Sequence, residues 1–272
     1  MKRASMSVRK TLVAMTSLAL LLPVAPVVKA QQSSAQPEKR QQLTRARDAY
    51  YNLRRLGLVE FRANLQPNWD LLLEGVEQKA SAIDLLAGLH FSVSINPEST
   101  FQVTHSVDQP PTNPKTAEGL SRIVRQMDSA LKQFFGTWSL FMLTSPFPAI
   151  GSEYEVSQAA GQFRFSRKEG DAEVVTITDR NFMVIEMTVL APTYNASLKP
   201  VFEKTVDGLI LMSFEANSVI QAGPRFTSVK TRLEYAEKNG LRLLQKVNVN
   251  TVQNGIPAQM EWLFTDYQVK VR

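Results

Sequence analysis

The chain has 272 residues, no cysteine, and 31 basic against 25 acidic residues, for a formal net charge of +6. The missing cysteine excludes disulfides, thiolate metal sites, a cysteine nucleophile and lipid attachment at an N-terminal cysteine. The charge would suit a polyanion partner, but Lys2, Arg3, Arg9, Lys10 and Lys29 supply five of those charges within residues 1–30, which hold no acid; the remainder is close to neutral and carries no overall basic field to draw in nucleic acid.

Those first residues have the layout of a secretory signal peptide: a basic start, an apolar run from Leu12 to Val28 broken by Pro23 and Pro26, and Val28-Lys29-Ala30 before a polar stretch. Cleavage is expected after Ala30, giving a periplasmic or secreted protein. Residues 31–37 read as a flexible tail. Beyond the leader no segment reaches the roughly 18 apolar residues that a spanning helix needs.

From Glu38 the apolar residues Leu43, Ala46, Tyr50, Leu53 and Leu56 recur at helical steps, and Gly57 is placed to stop the helix. Leu58 to Leu65 alternates as a half-buried strand with Val59, Phe61, Ala63 and Leu65 on one face. Asn68 is suited to cap a short helix from Trp69 to about Gln78, and Ser81 to Leu86 is a second helical piece. His90–Ile95 and Phe101–His105 form a hairpin. The register that keeps each face uniform pairs Ile95 with Phe101, Val93 with Val103 and Phe91 with His105. Thr116 to Phe135 is a helix with Leu120, Ile123, Met127, Leu131 and Phe134 on one face and Gly136 at its end. Trp138 to Leu143 is apolar and ambiguous in type.

From Ser152 onward the chain reads as antiparallel strands. Turn signals recur at Glu169-Gly170-Asp171, Asp179-Arg180-Asn181, Asp207-Gly208, Asn239-Gly240 and Asn254-Gly255, because tight hairpins need positive φ. The last of these pairs Val249 with Met260, Val247 with Trp262, Asn250 with Gln259 and Asn248 with Glu261, which puts apolar residues on one face and polar residues on the other. The predicted fold class is α+β: a long curled antiparallel sheet, an unclosed half-barrel, with two or three helices packed on its concave face.

This order of elements, together with Gly161-Gln-Phe-Arg-Phe-Ser-Arg167 and the closing Phe264-Thr-Asp-Tyr-Gln-Val269, resembles the LolA/LolB-like superfamily of periplasmic lipoprotein carriers, which includes sensor domains of the RseB type. The resemblance implies a single domain over residues 38–272, an unclosed barrel with helices as a lid, and an apolar ligand. The chain departs from the family at Lys168, where a proline usually stands, and in a helical insertion around residues 66–150. The resemblance therefore extends to fold and ligand theme rather than to the carrier itself.

No elbow, P-loop or dinucleotide fingerprint is present, so no catalytic residue, metal ligand or cofactor is predicted and the chain is read as a non-enzyme, the alternative being a hydrolase without a recognisable motif. His90 and His105 are the only histidines, and the hairpin register puts them on opposite faces, without the convergence zinc requires. Glu153 with Glu155, and Asp179 with Glu186, are acid pairs that nothing distinguishes from charges on a strand's outer face. Arg122, Arg125 and Lys132, and the denser group Lys39, Arg40, Arg45, Arg47, Arg54 and Arg55, read as solvated helix faces or as contacts to lipid headgroups. The stripe Phe163, Phe165, Val247, Val249, Met260 and Trp262 is the candidate ligand lining, with ordinary core as its alternative. The expected function is an exported binding protein that holds a lipid or lipidated partner. The alternative is an envelope interaction or sensing domain with a filled core and no ligand. Neither reading involves nucleic acid or a membrane span.

Overall fold

The computed structural model describes residues 37–75, 77, 79–221 and 225–272. The expected leader and the tail up to residue 36 lie outside these. The elements are α1 (Pro37–Asp48), β1 (Leu58–Pro67), α2 (Trp69–Leu72), α3 (Lys79–Ala87), β2 (Leu89–Ile95), β3 (Phe101–Val107), α4 (Pro114–Met142), β4 (Glu155–Ala159), β5 (Gln162–Glu169), β6 (Ala172–Thr178), β7 (Val184–Leu190), β8 (Tyr194–Thr205), β9 (Gly208–Ile220), β10 (Arg225–Lys238), β11 (Leu241–Gln253) and β12 (Ile256–Val271). The protein is α+β. Its strands form one antiparallel sheet, not closed into a barrel, in the order β3-β2-β1-β12-β11-β10-β9-β8-β7-β6-β5-β4. The described chain divides into two compact units: Arg54–Phe135 with Val229–Arg272, and residues 37–53 with Gly136–Ser228.

In the first unit, β2 and β3 pair as the face argument requires, with Ile95 opposite Phe101, Val93 opposite Val103 and Phe91 opposite His105. The β11–β12 hairpin likewise pairs Val249 with Met260 and Val247 with Trp262. Strand β1 lies between β2 and β12, and a register shift near its start turns Leu58 to the buried side with Phe61, Ala63 and Leu65, where strict alternation had put it on the opposite face. Asn68 caps α2, accepting the Leu71 N–H at 3.2 Å. This helix stops at Leu72, well short of the expected Gln78.

In the second unit, α1 ends at Asp48 rather than continuing to Leu56. The chain leaves the helix because an extended partner takes its backbone: Leu209 N–H donates to Ala49 O at 2.9 Å, and Tyr51 N–H to Leu209 O at 3.0 Å. The Tyr50 ring is held among Phe202 (5.3 Å), Phe147 (5.7 Å) and Phe141 (6.3 Å). Strands β4 to β9 follow as a meander. The turn at Ala160-Gly161 carries no Asn or Asp, yet both residues adopt positive φ, +50° and +78°.

Helix α4 runs on to Met142, through Gly136 and through the ambiguous Trp138 segment. Glycine permits a helix stop only when it takes a left-handed conformation, and Gly136 does not. Buried Trp138, Phe141 and Met142 continue the apolar stripe of Leu131 and Phe134 at helical steps, so packing overrides the weak propensity of one glycine.

Candidate functional site

The six residues of the candidate lining divide between the units. Val247, Val249, Met260 and Trp262 belong to the first, Phe163 and Phe165 to the second, and all six are buried.

Alternation along β11 and β12 builds the first set. Val247, Val249, Thr251 and Gln253 are buried at every second position of β11, facing Trp262, Met260 and Ala258 of β12. Helix α4 adds aromatic rings to this layer. Phe134 lies edge-on to Trp262 at 5.6 Å, Phe135 edge-on to Phe264 at 6.0 Å, and Phe101 of β3 stacks on Phe135 at 3.8 Å. In this unit three buried polar atoms have no hydrogen-bond partner among the described residues: Trp262 Nε1, Gln126 Oε1 on α4 and Gln253 Oε1 on β11. Trp262 is 1% exposed, Gln126 7% and Gln253 6%. A buried polar atom left unpaired costs about 1–3 kcal/mol, so this unit holds one donor and two acceptors that no described residue pairs. The sequence suggested the apolar stripe but gave no sign of these atoms, because Gln126 sits in a helix whose other polar residues are mostly solvated.

In the second unit Phe163 stacks on Phe182 at 4.8 Å and Phe165 lies edge-on to Phe147 at 5.0 Å. Beside Phe165, Thr176 is fully buried and donates to Pro146 O at 3.1 Å. Phe182, Phe147 and Tyr50 were not in the predicted lining; Phe182 follows a turn signal and carries a φ of +61°, which no pattern in the sequence announces.

Much of the basic cluster serves the fold. Lys39 Nζ donates to Tyr154 O at 2.6 Å and lies over the Tyr154 ring. The Arg45 guanidinium lies 5.5 Å from the Phe182 ring centre. Arg47 donates to Pro148 O at 2.8 Å, and burial pulls its pKa down. Arg54 donates to the carbonyls of Leu58, Val59 and Asn96 and to Ser99 Oγ; burial again lowers its pKa, with Arg272 adding to the effect. Arg40 and Arg55 are exposed. On α4, Arg122 pairs with Glu118 at 3.0 Å and Lys132 with Asp128 at 2.7 Å, both one turn away along the helix.

The remaining candidates are dispersed. His90 pairs with Asp108 at 3.0 Å on the surface, while His105 packs against Phe91 at 6.3 Å. Asp179 accepts the N–H groups of Asn181 and Met183, both at 2.8 Å, and so shapes its turn. Glu186 lies opposite Ile177 in the ladder, and Glu153 and Glu155 are exposed. Among the described residues no three His, Asp or Glu gather as metal ligands, and no helix is long and apolar enough to cross a membrane. No family model matches the chain, nor does any curated protein or solved structure.

Proposed function

We propose that this is an exported, non-enzymatic protein that holds an acyl lipid or a lipidated partner in the apolar layer between α4 and strands β11 and β12. One observation carries the reading: the fully buried Trp262 indole N–H, set among Val247, Val249, Met260 and Phe134, has no acceptor among the described residues. A guest with a carbonyl beside its chain supplies that acceptor. Each buried methylene adds about 0.8 kcal/mol of affinity. The leader-like N-terminus and the resemblance to the lipoprotein carriers agree with this reading. No nucleotide-binding motif is present to drive release, so transfer would proceed to a partner of higher affinity.

A second reading, an envelope interaction or sensing domain with a filled core, is favoured by the tight ring contacts Phe101–Phe135 and Phe163–Phe182. Native mass spectrometry of protein from its own host, followed by lipid extraction and titration with a fluorescent fatty acid, separates the two. Co-purified lipid and saturable probe binding are expected. Bare protein that also fails to bind the probe leaves the filled-core reading.

A further inference from the structure

The sheet ends at β3, and among the described residues no strand pairs with its outer side. Which groups it leaves open follows from the β2–β3 ladder. Asp108 N–H donates to Gly88 O and Asn96 N–H to Thr100 O, at 3.0 and 3.1 Å. Hydrogen-bonded and non-bonded pairs alternate along an antiparallel ladder. With the observed pairing, Gln102, Thr104 and Ser106 therefore bond inward to β2, while the N–H and C=O of Phe101, Val103, His105 and Val107 point out of the sheet.

Such an edge is ordinarily blunted by a charge, a proline, a bulge or short length. Strand β3, Phe-Gln-Val-Thr-His-Ser-Val, has no acid, lysine, arginine or proline, and its seven residues pair with β2 without a register shift. The other end strand, β4, has five residues, begins with Glu155, and follows a carbonyl that Lys39 already occupies. Protection is thus present at β4 and missing at β3.

We propose that β3 pairs antiparallel with β3 of a second copy about a two-fold axis through Thr104. Only this register matches all four outward-facing residues, Phe101 with the partner's Val107 and Val103 with the partner's His105, each pair exchanging two backbone hydrogen bonds. Side chains opposite one another share a face. One joined face then carries Phe101, Val103, His105 and Val107 from both copies, continuing the buried side of β2, and the other carries Gln102, Thr104 and Ser106. No like charges are opposed, and the contact is isologous, so it closes at a dimer. A shift by two residues in either direction strands an outward pair; the shift toward the C-terminus also sets His105 against the partner's His105.

The absence of native cysteine permits a register-specific test. Thr104 and its copy form a non-bonded pair with Cα atoms about 4.5 Å apart, within the window for a disulfide. Gln102 and its copy are offset by four residues, about 13 Å along the strand. Sedimentation of the chain should give twice the monomer mass, and Val103→Pro, which removes an outward N–H and leaves the β2 ladder intact, should give the monomer mass. Under mild oxidation Thr104→Cys should become a covalent dimer while Gln102→Cys does not, and Gln102→Cys mixed with Ser106→Cys should cross-link. A wild-type monomer at every concentration, or equal cross-linking from positions 102 and 104, overturns the proposal.

Discussion

Tyr50 is the residue on which the second unit turns. Its hydroxyl donates to Phe182 O at 2.9 Å and accepts the Val184 N–H at 2.8 Å, so one phenol satisfies two backbone groups on either side of Met183, the first of them belonging to the left-handed Phe182. Burial drives its pKa far upward, against the Val184 bond that favours ionisation, and the group stays neutral across the accessible pH range. Tyr50→Phe keeps the ring contacts but strands both partners, and it should cost about 2–3 kcal/mol in urea unfolding at any neutral or mildly acidic pH; a loss confined to alkaline pH would contradict this account. Nearby, Gly208 has a φ of +121°, and a Cβ there would lie 2.6 Å from the Tyr50 carbonyl carbon and 2.7 Å from Tyr51 N. Gly208→Ala should therefore destabilise by more than about 1 kcal/mol, whereas alanine at Gly240, with nothing within 4 Å, meets only the backbone strain of its turn. The Asp-Gly pair was legible as a turn from the sequence. That another stretch of backbone would cross there was not, because the contact joins residues far apart in the chain.

Elements with a repeating pattern were the legible part of the fold. Both hairpins whose register could be argued from facial uniformity adopt it, since a one-residue slip would expose a whole apolar face. Helix ends were less legible, because tertiary contacts decide them: α1 stops early where β9 takes its backbone, and α4 continues past a glycine. The α4 case yields a direct test. Gly136 is exposed, lies inside the helix with ordinary helical φ, and has open space where a Cβ would stand. Gly136→Ala should stabilise by about 0.5–1 kcal/mol and raise the melting temperature; a lower melting temperature would mean that the helix bends there. On the β11–β12 hairpin, Lys246 Nζ lies 2.7 Å from Glu261, and Asn68 Nδ2 donates to the same carboxylate at 3.2 Å. The Lys246 hydrogen bond, aided by Asn68, holds Glu261 below the usual carboxylate value of 4.5. A carboxylate depressed in the folded state stabilises above its unfolded pKa and loses that contribution as pH falls through the folded value. Glu261→Gln should therefore be less stable than wild type at neutral pH, with the difference shrinking in acid below 4.5. A difference that persists unchanged into acid would assign it to packing.

At the scale of the whole molecule, the apolar stripe could be read from alternation, but its polar exceptions could not, because a buried orphan is defined by what surrounds it. The proposed guest and the Trp262 N–H are linked energetically, and that linkage can be measured without knowing the natural ligand. A ligand bound only by the folded state stabilises it by about 2.7 kcal/mol at a hundredfold excess over its dissociation constant. Stripped of lipid, wild-type protein should melt lower, and a fatty acid should restore the loss. Trp262→Phe removes the indole N–H and leaves a smaller ring, so it costs packing both with and without ligand. That packing cost cancels when each protein's ligand-induced shift is compared with its own bare state. The residual difference belongs to the N–H: a bond worth about 1 kcal/mol weakens binding roughly fivefold, and the variant's shift should be correspondingly smaller at the same fatty-acid concentration. Equal shifts in the two proteins would mean that the guest does not meet Trp262, even if lipid binds elsewhere on the chain.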